Sequence, residues 1–123
     1  LADLSSMQRR AGIYSKEYRN IVKGIIYLEE DLKQELSIEE IAKMCNVSSN
    51  CFRRLFKAYS GMSPSEYRLN AKITKAKQFL ETNTLSIAEI ADMLGFNDAA
   101  YFSRLFKQKT GMSPTEYSQQ FIK

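Results

Sequence analysis

The segment FRRLFKAYSGMSPSEY, from Phe52 to Tyr67, recurs as FSRLFKQKTGMSPTEY, from Phe102 to Tyr117, fifty positions later. A chain of 123 residues that repeats a helix, its stop and the start of the next helix is constrained to two copies of one small unit. The copying reaches upstream as well. Ser37-Ile38-Glu39-Glu40 is matched forty-nine positions on by Ser86-Ile87-Ala88-Glu89, so one extra residue enters the second turn (GFNDAAYF against NVSSNCF).

Local signals divide the chain into helices. Ile21, Ile25, Leu28 and Leu32 recur at helical spacing from about Glu17, with Glu29, Glu30 and Asp31 on the solvated side. Ser37 and Glu40 form a capping box, in which each side chain satisfies a backbone N–H of the other. Ile38, Ile41, Ala42 and Met44 supply the buried stripe behind it, and Asn46 stands where a left-handed helix end is wanted. Ser48 or Ser49 opens the next helix and Gly61 stops it. Ser63-Pro64-Ser65-Glu66 then restarts the chain, with proline at the first helical position. That helix runs to about Glu81, with Tyr67, Ala71, Thr74, Ala76, Phe79 and Leu80 expected inside. In the second copy Gly95 replaces Asn46, Gly111 stops the helix and Ser113-Pro114-Thr115-Glu116 begins the last one.

No strand pattern competes, so the expected class is all-α: two three-helix helix-turn-helix lobes joined by a long linking helix. Residues 1–15 read as a linker or trailing segment, with a short helix through Leu4 and Met7. The first lobe is placed at 16–62, the linking helix at 63–82 and the second lobe at 83–123. The start at Leu1 reads as a fragment of a longer chain.

Composition excludes several functions. No run approaches the eighteen or so apolar residues of a membrane span, and Lys23 interrupts IVKGIIYL. The amino end lacks the basic-then-apolar order of a secretion signal. There is no histidine, which removes the commonest general base at neutral pH, and no nucleophile, base and metal-ligand set converges. An enzyme is not expected, nor a cofactor or metal. Cys45 and Cys51 are too few for a zinc site and read as reduced thiols. The net charge of +4 and pI near 9.1 fit a nucleic-acid partner without establishing one.

The placement of charge is more informative. Phe52, Leu55, Phe56 and Tyr59 form one apolar stripe, while Asn50, Arg53, Arg54 and Lys57 form a second, shifted around the same helix. A helix carrying long basic and amide side chains opposite its core stripe fits the major groove of DNA. There an arginine can meet guanine O6 and N7 with two hydrogen bonds. The capped helix, short turn and glycine-stopped second helix make a helix-turn-helix, whose second helix is the reader.

SIAEIADMLGFNDAAYFSRLFKQKTGMSPTEY resembles the signature of the AraC/XylS transcription regulators, and residues from about 17 to 121 follow the family's DNA-binding domain in order and spacing. The resemblance rests on Ala91, Gly95 and Phe96 in the turn, the YFSRLFK reader, the GMSP stop and start, and the linking helix. It implies two lobes that place reader helices, about 49–60 and 98–110, in successive major-groove turns of double-stranded DNA. It also implies base-facing roles for Asn50, Arg53 and Arg54 in the first reader, and for Ala99, Ala100, Ser103 and Arg104 in the second. Lys57, Lys107 and the helix starts at Ser37 and Ser86 would face phosphates. Lys72 stands where the family pattern implies arginine, and Asn46-Val47 where the second turn has Gly95-Phe96.

The two readers are unequal. Arginine and asparagine discriminate bases more sharply than the small Ala99, Ala100 and Ser103, so the first lobe is expected to carry most of the specificity. Tyr67 and Tyr117 are expected to pack the lobes and Phe96 to plug the core beneath its turn. Met44, Met62, Met93 and Met112 are likewise expected in packing. The expected setting is the bacterial cytoplasm or nucleoid. An upstream effector or dimerisation domain would lie outside this chain, with RNA polymerase as a partner if the protein activates. The alternative is a helical protein-interaction module whose basic stripes grip an acidic partner; recovery of one DNA motif against competitor DNA separates the two.

Overall fold

The computed structural model of the protein describes residues 16–31, 33 and 35–122; the segment expected at 1–15 and the apolar Leu32 lie outside these. The described residues form seven helices and no strand: α1 (Lys16–Glu30), α2 (Ile38–Met44), α3 (Ser49–Ser60), α4 (Pro64–Thr82), α5 (Ile87–Met93), α6 (Ala99–Thr110) and α7 (Pro114–Gln119). The class is all-α. Two compact units divide the chain, Leu1–Arg68 and Leu69–Lys123, and the division falls within the sequence of α4.

The core of the first unit joins Ile21, Ile25 and Leu28 of α1 to Ile38 and Ile41 of α2 and to Phe52, Leu55 and Phe56 of α3. Phe52 and Phe56 lie 5.6 Å apart, and Tyr67 meets Phe56 edge-on at 5.4 Å. The second unit repeats the ladder: Phe102 and Phe106 are 5.9 Å apart, and Tyr117 meets Phe106 edge-on at 5.7 Å. Edge-on contact suits the opposed charges of ring face and ring edge. The helix stops are copied too. The Ser60 hydroxyl donates to the Phe56 carbonyl and the Thr110 hydroxyl to that of Phe106, at 2.7 and 2.8 Å. Asn46 and Gly95 both occupy the left-handed region, φ 62° and 78°, which asparagine tolerates and glycine enters without penalty.

The structure also shows a copy with weaker letter identity. Ile21, Gly24, Leu28 and Glu29 of α1 are matched fifty-two positions on by Ile73, Ala76, Leu80 and Glu81 of α4. The later part of α4 thus supplies the second unit with what α1 supplies to the first. All of these except Glu29 and Glu81 are buried.

Several expected core positions differ. Met44 and Met93 are exposed, because the buried stripes of α2 and α5 run through Ile38, Ile41, Ala42 and Cys45, and through Ile90, Ala91 and Leu94. At 3.6 residues per turn each methionine falls roughly 110° around the helix from the centre of its stripe, beyond the edge of the buried face. Met112 is also exposed, while Met62 is half-buried against the first core. In α4, Thr74 faces solvent and donates to the Asn70 carbonyl, and Phe79 is only half-buried, with the Lys75 ammonium 5.4 Å from its ring. Asp31 does not sit on a solvated face. Its carboxylate accepts from the N–H groups of Glu35 and Leu36 at 2.9 and 2.7 Å.

Two cations are buried instead. Arg68 donates to the Leu36 carbonyl at 2.9 Å and lies 3.4 Å from Asp31. Burial pulls its pKa down, against the opposing pull of Asp31. Lys72 is 2% exposed and holds its ammonium 4.9 Å from the centre of the Phe96 ring. Phe96 is half-buried and also meets Phe102 at 5.1 Å, so it plugs the turn from beneath while its face binds a cation.

Candidate nucleic-acid interface

The first reader, α3, begins at Ser48, whose hydroxyl accepts from the Cys51 N–H at 3.1 Å, and ends at Gly61 in the left-handed region. Between these points Phe52, Leu55 and Phe56 anchor one side in the core. That anchoring turns Asn50, Arg53, Arg54 and Lys57 outward, and all four are exposed. Two of them are engaged. Arg54 Nη2 donates to Cys51 Sγ at 3.6 Å, a weak bond along one turn of helix. Arg53 forms an ion pair with Glu39 of α2, fourteen residues earlier. The hydrogen bond from Arg53 is the main reason the Glu39 carboxyl lies below its usual pKa.

The second reader, α6, starts from Asp98, whose carboxylate accepts from the Tyr101 N–H at 2.6 Å. Phe102 and Phe106 anchor it. Of the expected base-facing residues, Ala100 and Arg104 lie on the exposed face, whereas Ala99 and Ser103 sit half-buried at its edge. The same face carries Tyr101, 48% exposed and 6.2 Å from Phe96, together with Gln108. Tyr101 escaped sequence reasoning because it adjoins the core Phe102 in a run that reads as apolar. Its spacing to Arg104 and Gln108, three and seven residues, was the available signal.

The structure gives the four expected phosphate-facing residues two kinds of setting. Ser37 and Ser86 close full capping boxes: their hydroxyls accept from the Glu40 and Glu89 N–H groups at 3.1 and 3.0 Å. Each glutamate carboxylate accepts in return from its serine's N–H, at 3.1 and 3.0 Å. In the second box that bond holds the Glu89 carboxyl below its usual pKa. A serine hydroxyl that accepts still has its own hydrogen to donate, but in the second box the Ser86 side chain also bonds the Glu89 carboxylate, so that helix start already carries its own anion. Lys57 and Lys107 are exposed at matched positions in the last turns of α3 and α6. Lys107 lies near the start of α7, where it adds a small pull to the Ser113 bonds that hold the Glu116 carboxyl down.

Two capped helix-turn-helix units, each turning a polar stripe outward from the same aromatic anchor, define a duplicated helix-turn-helix domain. A family model described as a helix-turn-helix domain matches residues 41–120. The chain is 34% identical over 79 residues to the HTH-type transcriptional regulator GbdR of Pseudomonas aeruginosa, covering 64% of this chain and 22% of that protein. It is similar in structure to a transcriptional regulator with an AraC-type DNA-binding domain from Chromobacterium violaceum. The TM-score is 0.79 at 28% identity, covering 85% of this chain and 94% of that one. It is also similar to the C-terminal domain of AraT, a response regulator from Geobacillus stearothermophilus, with TM-score 0.77 and 28% identity over 82% and 84% of the two chains. The chain belongs to the AraC-type family of helix-turn-helix domains. It spans less than a third of the length of the curated relatives it matches.

Proposed function

We propose that the chain is the sequence-specific, double-stranded-DNA-binding part of a transcription regulator, with α3 and α6 as its major-groove readers. One observation carries this. The buried anchors of the two readers are the same residues, Phe52/Phe102 and Phe56/Phe106, while the exposed stripes differ at Asn50/Ala100 and Arg53/Ser103 and keep their cations at Arg54/Arg104 and Lys57/Lys107. A stripe that served only solvation would be free to vary throughout, whereas these cations recur at the same two places on both faces, as contact with a phosphate backbone would need. Asn50, Arg53 and Arg54 read bases from the first helix; Ala99, Ala100, Ser103 and Arg104 line the second, with Tyr101 beside them. Lys57, Lys107 and the starts of α2 and α5 at Ser37 and Ser86 meet phosphates. Because the two readers differ, the preferred site has no two-fold symmetry. In the longer protein an effector or dimerisation domain joins this one, in the cytoplasm, and an activating protein would contact RNA polymerase.

Selection from a randomised duplex library against competitor DNA tests the reading. One asymmetric motif, bound with steep salt dependence, is expected. Binding of all sequences alike, or binding only to an acidic protein, would overturn it.

A further inference from the structure

We propose that Glu39 is a positioning residue for base recognition: it holds the Arg53 guanidinium in place and so sharpens the choice of base that Arg53 makes. The inference rests on the DNA-reading function of α3. Glu39 lies in the first turn of α2, a helix expected to meet only phosphates, yet its carboxylate reaches across to the reader and pairs with Arg53 Nη2. The two side chains remain 60% and 45% exposed, so the pair is not a core bridge. Ion pairs this exposed contribute little to folding, which leaves the orientation of the arginine as the main thing the contact determines.

The internal copy gives an independent indication. In the second unit the residue matching Arg53 is Ser103, and the residue matching Glu39 is Ala88. The neighbours of both are retained: Ser37, Ile38 and Glu40 recur as Ser86, Ile87 and Glu89, and Phe52 and Arg54 recur as Phe102 and Arg104. Acid and base are therefore present together in one unit and missing together from the other, on an otherwise repeated frame. A carboxylate that served α2 alone, by complementing its positive end, would be equally useful in α5, where alanine stands.

The chemistry explains what the pair does. A guanidinium has five N–H groups in a fixed plane, so a carboxylate on Nη2 leaves other donors to meet guanine O6 and N7. Holding a long side chain before DNA arrives reduces the ordering that binding must otherwise impose. The carboxylate also penalises wrong partners. It repels phosphate oxygens that would divert Arg53 to the backbone, and it keeps the arginine engaged when the opposite base lacks two acceptors.

The test compares the wild-type chain with Glu39→Ala, Glu39→Gln, Arg53→Ala and the Glu39→Ala/Arg53→Ala double variant. Each is passed through randomised-site selection and then titrated with the selected duplex and with random-sequence DNA. Glu39→Ala should flatten preference by about tenfold at the one base pair that Arg53→Ala also flattens. Its binding to random DNA should hold or rise. The double variant should match Arg53→Ala alone, and Glu39→Gln, which keeps an acceptor oxygen, should retain part of the preference. A merely structural role would lower the melting temperature and weaken every sequence alike, and that outcome overturns the proposal. So does full retention of preference in Glu39→Ala, or additive effects at two different base pairs. If the wild-type chain shows no preferred sequence, the DNA-reading function fails and the proposal fails with it. If wild type and Arg53→Ala behave as expected and Glu39→Ala does not, only the positioning role is lost.

Discussion

The Tyr67 phenol donates a hydrogen bond to Glu29 Oε1 at 2.5 Å, tying the helix before the first helix-turn-helix to the helix after it. Tyr117 and Glu81 repeat the link in the second unit at 2.7 Å. Tyr67→Phe keeps the ring against Phe56 and removes only the bond to a carboxylate, so it should destabilise the chain by about 1–2 kcal/mol in urea unfolding. Burial first, and then the Glu29 bond, raise the Tyr67 pKa in the folded state. The neutral phenol is therefore favoured by folding, and its contribution is complete below the unfolded tyrosine value of about 10. It is lost as pH rises beyond that. Tyr117, pushed up to about 12 mainly by its bond to Glu81, loses its share as pH rises from the unfolded value to that one. Unfolding midpoints should fall between about pH 10 and pH 12, and the fall should shrink in Tyr67→Phe.

Gly24→Ala should destabilise the protein although alanine favours helices. Gly24 is buried in α1, and a Cβ there would lie 2.6 Å from Phe52 Cζ, in clash with the edge of a ring that is itself fully buried. The helix gain is about 1 kcal/mol and overpacking costs about 1–3, so the net change should be a loss. Thermal unfolding measures it. In the second copy the matching residue is already alanine, Ala76, at 0% exposure.

Arg53→Ala and Lys107→Ala should separate reading from docking. Arg53→Ala should cost about 1–3 kcal/mol on the preferred duplex and relax one base position. Lys107→Ala should weaken every sequence alike and lower the logarithmic salt slope by about one. Titrations at several salt concentrations on specific and random duplexes distinguish them. An unchanged motif after Arg53→Ala would show that the first reader does not carry the specificity assigned to it.

The two thiols should report on the interface. Cys45 is fully buried and burial pushes its pKa up, whereas Cys51 is half-exposed at the start of α3. Thiolate is the reactive form, so a thiol reagent should modify Cys51 quickly and Cys45 only on unfolding. The selected duplex should slow labelling of Cys51 more than random DNA does. Equal rates with and without DNA would place α3 away from the contact.

What was legible in the sequence was local. The capping boxes of Ser37 and Ser86, the left-handed ends at Asn46 and Gly95 and the Phe52-Leu55-Phe56 stripe are decided within a few residues, and they stand in the structure as the sequence indicates. At Ser63 the hydroxyl accepts from the Glu66 N–H and donates to the Glu66 carboxylate. What was not legible depended on distant partners. No local spacing marks Arg68 or Lys72 for burial, yet they are buried because a carbonyl with Asp31, and the face of Phe96, receive them. Glu39 stands in the sequence only as the neighbour of the capping Glu40; its tie to Arg53 spans fourteen residues that no helical spacing connects. Thr74 and Phe79 show the converse: helical spacing alone does not tell how wide a buried face will be.

The separation of anchor from face on α3 and α6 also bears on descent. Asn50, Arg54 and Ala100 are exposed while the aromatic anchors are buried, so on the proposed reading the preferred DNA sequence can drift without the fold having to be found again. Position 53 is bound by a different rule. Under the role proposed for Glu39, a change there strands Glu39, and a change at 39 leaves the arginine unguided, so divergence at the base pair assigned to Arg53 favours paired mutation. The second copy, with Ala88 and Ser103, has the form such a joint step would leave behind.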